Sequence, residues 1–244
     1  MYIPHFSILS KLTPKLDKSL TTSLSSMFLS DELHLFFKDS VTISRFGTMS
    51  KEVYEILEIF DALKRHKNTI YLVSTIFLAT FVFSYVFIYY DMFQFRYFGD
   101  LMYESFKIKV QSFSIENKGP LELIAIILAN NLFVAAVTYI IMFFALINIA
   151  VNSYLLAYVF YLTNPLEFVI LIGPHGIFEI PALILSATSA LVLSMSLIKK
   201  FRKEKHCIEY FKDSLRIFLV SIILFVVAAF VEVLVTYQIA LRIA

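Results

Sequence analysis

The sequence contains no tryptophan, one cysteine (Cys207) and only five glycines among its 244 residues. A lone cysteine excludes an internal disulfide and a cysteine-based metal motif. Charged residues are scarce at 16%, whereas soluble domains average about 25%. The net charge of +2 gives no reason to expect a nucleic-acid partner. A serine-nucleophile elbow, a phosphate-binding glycine loop and a His-Glu-x-x-His motif are absent too.

Hydrophobic residues make up 59% of the chain, and the mean hydropathy is +0.78. Soluble domains contain roughly 45–50% apolar residues, so the excess apolar surface must face lipid. We therefore predict an all-α, polytopic membrane helix bundle with about five transmembrane helices. Its natural partner is the lipid bilayer.

Apolar runs of about twenty residues, each long enough to cross a hydrocarbon core of ~30 Å, mark the spans. They lie at 69–90, 121–162, 177–198 (or from 182) and 215–237. The second run is forty-two residues long with one acid, Glu122, which is too long for one span. It must contain two spans, and the polar residues of 148–153 predict the turn between them.

Residues 164–181 contain three prolines and two glycines but no lysine or arginine. They are nevertheless mostly apolar, so a solvated loop does not fit. We predict a broken or re-entrant segment before the fourth span, of the kind that survives in membranes where protein or a wet cavity covers its backbone.

Residues 1–68 are the extended polar part of the chain and are predicted to form a cytoplasmic, amphipathic-helical region. One helix is expected within 15–38, and a second from Ser50 as N-cap to His66. Residues 69–244 are predicted to form the transmembrane domain. Within it, residues 91–120 read as a mixed, partly amphipathic loop on the membrane surface.

Two basic clusters predict the orientation. One, at 64–67, precedes the first span, and the other, at 199–205, precedes the last. Cytoplasmic loops carry the excess of lysine and arginine, and five spans place both clusters on that side. We therefore expect a multi-pass protein of the plasma membrane with its N-terminus in the cytoplasm and its C-terminus outside.

Ionisable residues inside spans are costly and mark candidate sites. His175 and Glu179 are four residues apart, so a helix places them on one face. Glu232 lies sixteen residues beyond Arg216, roughly 24 Å along a helix, where it can meet them. Two explanations stay open for this group: a metal, proton or substrate site, or a His–Glu hydrogen bond that pins the segment in place.

Two amides complete the candidate polar site, because Asn130 and Asn131 lie near the middle of the second span. Such amides usually join helices, at ~0.6–2 kcal/mol per hydrogen bond. If a metal binds, its ligands are predicted to be His175, Glu179 and Glu232. No residue is assigned a catalytic role, and no cofactor is predicted.

Residues 174–182, Pro-His-Gly-Ile-Phe-Glu-Ile-Pro-Ala, resemble the Pro-His-Gly-x-x-Glu-x-x-Ala segment of the stage II sporulation protein M family. The pair Asn130–Asn131 is similar to the family's paired asparagines, and Glu232 with Thr236 is similar to its final Glu-x-x-x-Thr. Asn152 and Ser153 stand where the family usually has Asn-Gly. The resemblance covers about residues 69–237. It marks four residues as structural parts of the motif: Pro174, Gly176, Pro181 and Asn152.

The resemblance implies an integral membrane protein. In spore-forming bacteria the family's namesake is a scaffold that recruits cell-wall hydrolases to the engulfing septum, and members also occur where no spores form. We therefore expect a non-enzymatic membrane scaffold or accessory subunit that recruits or organises partner proteins. Membrane or membrane-associated proteins are the expected partners, a second copy of the chain among them.

Two other functions stay open. One is an intramembrane hydrolase, metal-dependent or not, that uses His175, Glu179 and Glu232. The other is a transporter or channel subunit in which the broken segment lines the pathway, as discontinuous helices do in transporters.

Overall fold

The computed structural model describes residues 51–112 and 118–239. This part of the chain is 91% helical and has no strand. The predicted helix within 15–38 lies outside it. In chain order the helices are α1 (Lys51–Arg65), α2 (Lys67–Tyr89), α3 (Phe95–Ser112), α4 (Pro120–Ile140), α5 (Phe144–Leu162), α6 (Pro165–Phe201) and α7 (Cys207–Val231), the last extended by a π-helical segment, Glu232–Thr236.

Five of these helices, α2, α4, α5, α6 and α7 with its extension, are long and apolar enough to cross a membrane. This confirms the predicted all-α membrane bundle with five spans. The chain divides into two compact units, Met1–Ile56 and Leu57–Ala244, and all five spans belong to the second. The predicted boundary between the polar region and the transmembrane domain, at residues 68 and 69, stays a prediction.

The predicted break before the fourth span is wrong, because α6 is one continuous helix of 37 residues with Pro174 and Pro181 in its interior. It begins at the N-cap Asn164, whose side chain accepts a hydrogen bond from the Glu167 amide at 2.8 Å. Proline interrupts helices in water, but in a bundle inside lipid an unwound backbone would lose its partners, so prolines are tolerated within spans. At 1.5 Å per residue α6 is about 55 Å long, well beyond the ~30 Å of a hydrocarbon core.

The predicted turn at 148–153 is also wrong. The turn lies at 141–143, and Asn148, Asn152 and Ser153 are inside α5. Asn148 donates to the Thr138 hydroxyl at 3.0 Å, and Ser153 donates to the Phe77 carbonyl at 2.6 Å. These polar groups join α5 to α4 and α2, because lipid offers them no water as an alternative partner.

Much of the loop predicted at 91–120 is the helix α3, which packs on α5. The Tyr158 hydroxyl donates to Asp100, and Gly99 lies against the Tyr158 ring. Left-handed backbone at Asp91 and Phe93 (φ 53° and 51°) reverses the chain between α2 and α3.

Helix α6 is the centre of the bundle and carries small buried residues along its length. Ala187 and Ala190 pack with Val73 of α2 and Ile149 of α5. Ala182 packs with α4 and α7. Small side chains allow membrane helices to approach closely, so α6 can touch all four other spans.

Candidate functional site

The polar residues of α6 and the π-helical segment meet at one place. His175 is 8% exposed, and its Nδ1 atom lies 3.1 Å from the Thr236 hydroxyl. Its Nε2 atom lies 3.8 Å from Oε2 of Glu179. One donor atom each from His175, Glu179 and Glu232 lie within 4.8 Å of one another. We call these three residues with Thr236 the His–Glu cluster.

Local structure explains how the cluster forms. His175 and Glu179 are one turn apart on α6, so they share a face as the spacing predicts. Glu232 and Thr236 are the first and last residues of the π-helical segment of α7. Single π-helical turns inside α-helices are frequent at functional sites. Here this turn contributes both residues that face His175.

The two carboxylates of the cluster, Glu179 and Glu232, lie near each other and near the His175 ring. Within the described ranges, neither Glu179 nor Glu232 forms an ion pair with a lysine or arginine; the nearest positive candidate is the His175 ring. An unpaired carboxylate away from water is costly. A bound cation or added protons would neutralise the two carboxylates and remove this cost.

The predicted asparagines lie on other helices than the His–Glu cluster, whereas the predicted prolines and Gly176 lie beside it. Asn130 and Asn131 are half-buried on α4, and their amides are 3.4 Å apart, longer than a normal hydrogen bond. Asn152 donates to Asn148 within α5 at 2.8 Å. Pro174, Gly176 and Pro181 are all on α6, around the histidine and glutamate.

An apolar groove of ≈ 450 Å³ runs beside the cluster. It is lined on one side by α2 and α5 and on the other by α6, including Gly173, Gly176 and Pro181. A Cβ atom added at Gly173 would meet Val169 at 3.8 Å, and one at Gly176 would meet Ile172 at 3.5 Å. Both neighbours belong to α6 itself, so no other described helix fills the space over the glycines. We call this space the lateral groove.

The sequence did not predict a charge cluster at the opposite end of α6 and α7. Asp213 is 2% exposed and accepts two hydrogen bonds from Arg65, at 2.9 and 2.7 Å. The His66 ring nitrogen lies 3.1 Å from it, and Arg216 bonds both Asp213 and Glu58. The hydrogen bond to Asp213 raises the pKa of Arg65 above its ordinary value. We call these five residues the Asp213 cluster.

A signal for this cluster was present in the sequence. Asp213 follows a run of basic residues at the start of an apolar span, where an acid is costly unless it is paired. Its partners Arg65 and His66 belong to the basic stretch before the first span. That stretch was used only to predict the orientation of the protein in the membrane.

Comparison with known proteins supports a family assignment. The profile of the family described as Stage II sporulation protein M matches residues 73–237. The protein is similar to Uncharacterized protein MJ0706 of Methanocaldococcus jannaschii, with 39% identity over 196 residues, 78% of this chain and 91% of that protein. It is also similar to Uncharacterized protein MJ0793 of the same organism, with 37% identity over 124 residues, 49% of this chain and 68% of that protein. No solved structure matches.

Proposed function

The chain belongs to the stage II sporulation protein M family, and we propose that it is a non-enzymatic membrane scaffold or accessory subunit that organises partner proteins in the bilayer. The observation that supports this proposal is the lateral groove. It runs along the family's most characteristic segment, and its size and apolar lining suit a transmembrane helix of a partner.

The glycines of the groove are the first argument. Glycine within a helix costs about 0.5–1 kcal/mol relative to alanine, so Gly173 and Gly176 need a packing reason. In membranes that reason is usually the close approach of a second helix to small residues. Among the described residues, their Cβ positions meet only side chains of α6, and the helix that we propose for this space belongs to a partner protein.

The apolar surface of the spans is the second argument. Only 17% to 33% of each span is buried within the bundle, and groove residues such as Leu78 and Ile177 are 62% and 69% exposed. Lipid can cover such a surface, and so can partner helices. A scaffold needs this kind of free lateral surface on a fixed frame.

The proposed location is the plasma membrane, with α1 on the cytoplasmic side. The Asp213 cluster supports this arrangement, because it joins the end of α1 to the start of α7. Both basic clusters then lie at the same end of the bundle, as the positive-inside rule requires.

A photo-crosslinking experiment in native membranes tests the scaffold proposal. A photo-crosslinking amino acid at Leu78, within the groove, should capture a discrete membrane protein. The double substitution Gly173→Leu/Gly176→Leu fills the groove and should lower this capture by about tenfold. A tenfold loss of binding corresponds to ~1.4 kcal/mol of affinity.

The matched control is Ala125→Leu/Ala129→Leu, which places the same two leucine side chains at exposed positions of α4. This control should leave the crosslink unchanged. If both pairs leave it intact, or if the probe at Leu78 captures lipid only, the groove does not bind a partner.

A second candidate, the intramembrane hydrolase, is favoured by the His–Glu cluster, which offers donors for a metal. The two functions differ in their response to mutation. A hydrolase loses its cellular function with Glu179→Gln while groove filling has little effect, whereas a scaffold shows the reverse. The transporter alternative depended on a broken helix, and α6 is continuous.

A further inference from the structure

The His–Glu cluster combines three features that need a common explanation. Its three donor atoms lie within 4.8 Å of one another. His175 is buried, and neither carboxylate has a lysine or arginine partner among the described residues. Two carboxylates at this separation repel each other strongly in a medium of low dielectric constant unless a positive charge lies between them.

We propose that His175, Glu179 and Glu232 bind one divalent transition-metal ion of the Zn²⁺ type. With a neutral imidazole and two carboxylates, the charges of +2 and −2 cancel. A neutral centre is what a site at the edge of a membrane requires, since an uncompensated charge there is expensive. This inference goes beyond the scaffold proposal and does not depend on it.

The donor set selects the class of metal. Ca²⁺ and Mg²⁺ prefer sites made of oxygen ligands alone, whereas an imidazole with carboxylates suits Zn²⁺ and its neighbours. Tetrahedral Zn²⁺ with bonds of about 2.0–2.1 Å holds its ligands about 3.4 Å apart. The donor atoms lie within 4.8 Å of one another, so rotation of the glutamate side chains must shorten the largest separation by about 1.4 Å to reach this geometry.

Thr236 prepares the histidine for this role. Metal-binding histidines usually donate their second ring N–H to a neighbouring acceptor, which fixes the tautomer and the ring orientation. In the tautomer that donates Nδ1–H to the Thr236 hydroxyl at 3.1 Å, the lone pair of Nε2 points to the side of Glu179. Thr236 is therefore a positioning residue, and the π-helical segment holds it opposite the ring.

The ion would join α6 to α7. Two ligands come from α6 and the third from the π-helical segment, so binding ties the N-terminal half of the long helix to the last span. The cluster lies at the end of the bundle opposite the Asp213 cluster. Glu179 and Glu232 are partly exposed at the surface of the bundle, so an ion can reach them without unfolding of the helices. Three protein ligands leave one coordination position for water or another ligand.

Zinc binding to the purified full chain tests this proposal. The protein is stripped with a chelator and titrated with Zn²⁺, and bound metal is counted by elemental analysis after gel filtration. We expect one Zn²⁺ per chain and a zinc-dependent rise in Tm. His175→Ala and Glu232→Gln should each weaken binding by at least about tenfold, and Thr236→Val by about 10- to 100-fold.

The matched control is His206→Ala/Glu209→Gln, which removes an exposed histidine–glutamate pair whose atoms are 2.9 Å apart. It should bind zinc as the unmodified chain does. Glu232→Gln is nearly isosteric, so it decides the result if His175→Ala fails to fold. The proposal is overturned if the unmodified chain binds less than half an equivalent, or if Glu232→Gln retains full affinity and the same rise in Tm.

Discussion

Asp213, which the sequence pattern did not select, is the centre of a charged hydrogen-bond network. It is almost fully buried, and it accepts hydrogen bonds from Arg65 and Arg216 while it faces His66. Arg65 keeps contact with solvent, with 52% of its side chain exposed. The pair is therefore partly screened, and Asp213 pays the larger desolvation penalty.

We expect Asp213→Asn to destabilise the protein by about 2 kcal/mol, because the two hydrogen bonds from Arg65 no longer reach a charged group and Arg216 keeps only Glu58 as a charged partner. Thermal unfolding of the purified chain measures the effect as a lower Tm. Glu209→Gln is the control, since Glu209 is an exposed acid on the same helix. Equal Tm values for the two variants would show that the Asp213 cluster does not stabilise the fold.

The His–Glu cluster shows how far single residues can be predicted. The spacing of His175 and Glu179 placed both on one helix face, and the rise per residue placed Glu232 at a matching height. The hydrogen bond between His175 and Thr236 could not be predicted in this way. It depends on a π-helical turn, and helical periodicity assumes a regular helix.

At the scale of the element, Gly99 determines how closely α3 approaches α5. A Cβ atom at this position would overlap the Tyr158 ring. That ring has little freedom to move, since Tyr158 is 1% exposed and its hydroxyl bonds Asp100 on α3. The contact therefore requires glycine.

We expect Gly99→Ala to destabilise the packing of α3 by about 1–3 kcal/mol, the usual cost of an overpacked core. Hydrogen exchange in α3 should speed up, and the Tm should fall. Gly173→Ala is the matched control, because a Cβ atom there has its nearest neighbour at 3.8 Å and alanine favours a helix. Slower exchange in Gly99→Ala than in the unmodified chain would contradict the packing argument.

Two elements were mispredicted for one physical reason. Prolines and glycines at 173–181 and asparagines at 148–152 signal breaks and turns in water, where solvent satisfies the freed backbone and amide groups. Lipid provides no such partners. The backbone of α6 therefore stays helical through Pro174 and Pro181, and Asn148 bonds to Thr138 on the neighbouring helix. The predicted number of spans is confirmed, because that prediction depends only on the length of the apolar runs.

At the scale of the whole molecule, contacts group the ends of the spans into two sets. Arg65 bonds Asp213, and Tyr139 lies 2.8 Å from Ser214, so the ends of α1 and α4 lie beside the start of α7. Tyr158 donates a hydrogen bond to Asp100, so the end of α5 and the start of α3 lie together and belong to the second set. Five spans in strict alternation produce this grouping, whichever side faces the cytoplasm.

The basic clusters at 64–67 and 199–205 both belong to the first set, and from this we predict which side is cytoplasmic. Cys207 is the chain's sole cysteine, so Cys207→Ser gives a background in which single cysteines report sidedness. In intact cells, a cysteine at Lys118 should react with a membrane-impermeant maleimide, and a cysteine at Lys203 should react only after the membrane is opened. The physical reason is that moving the basic loop across a membrane against its potential costs about 2.3 kcal/mol per charge per 100 mV. Labelling of the Lys203 position in intact cells, with Lys118 protected, would invert the whole arrangement and place the His–Glu cluster on the cytoplasmic side.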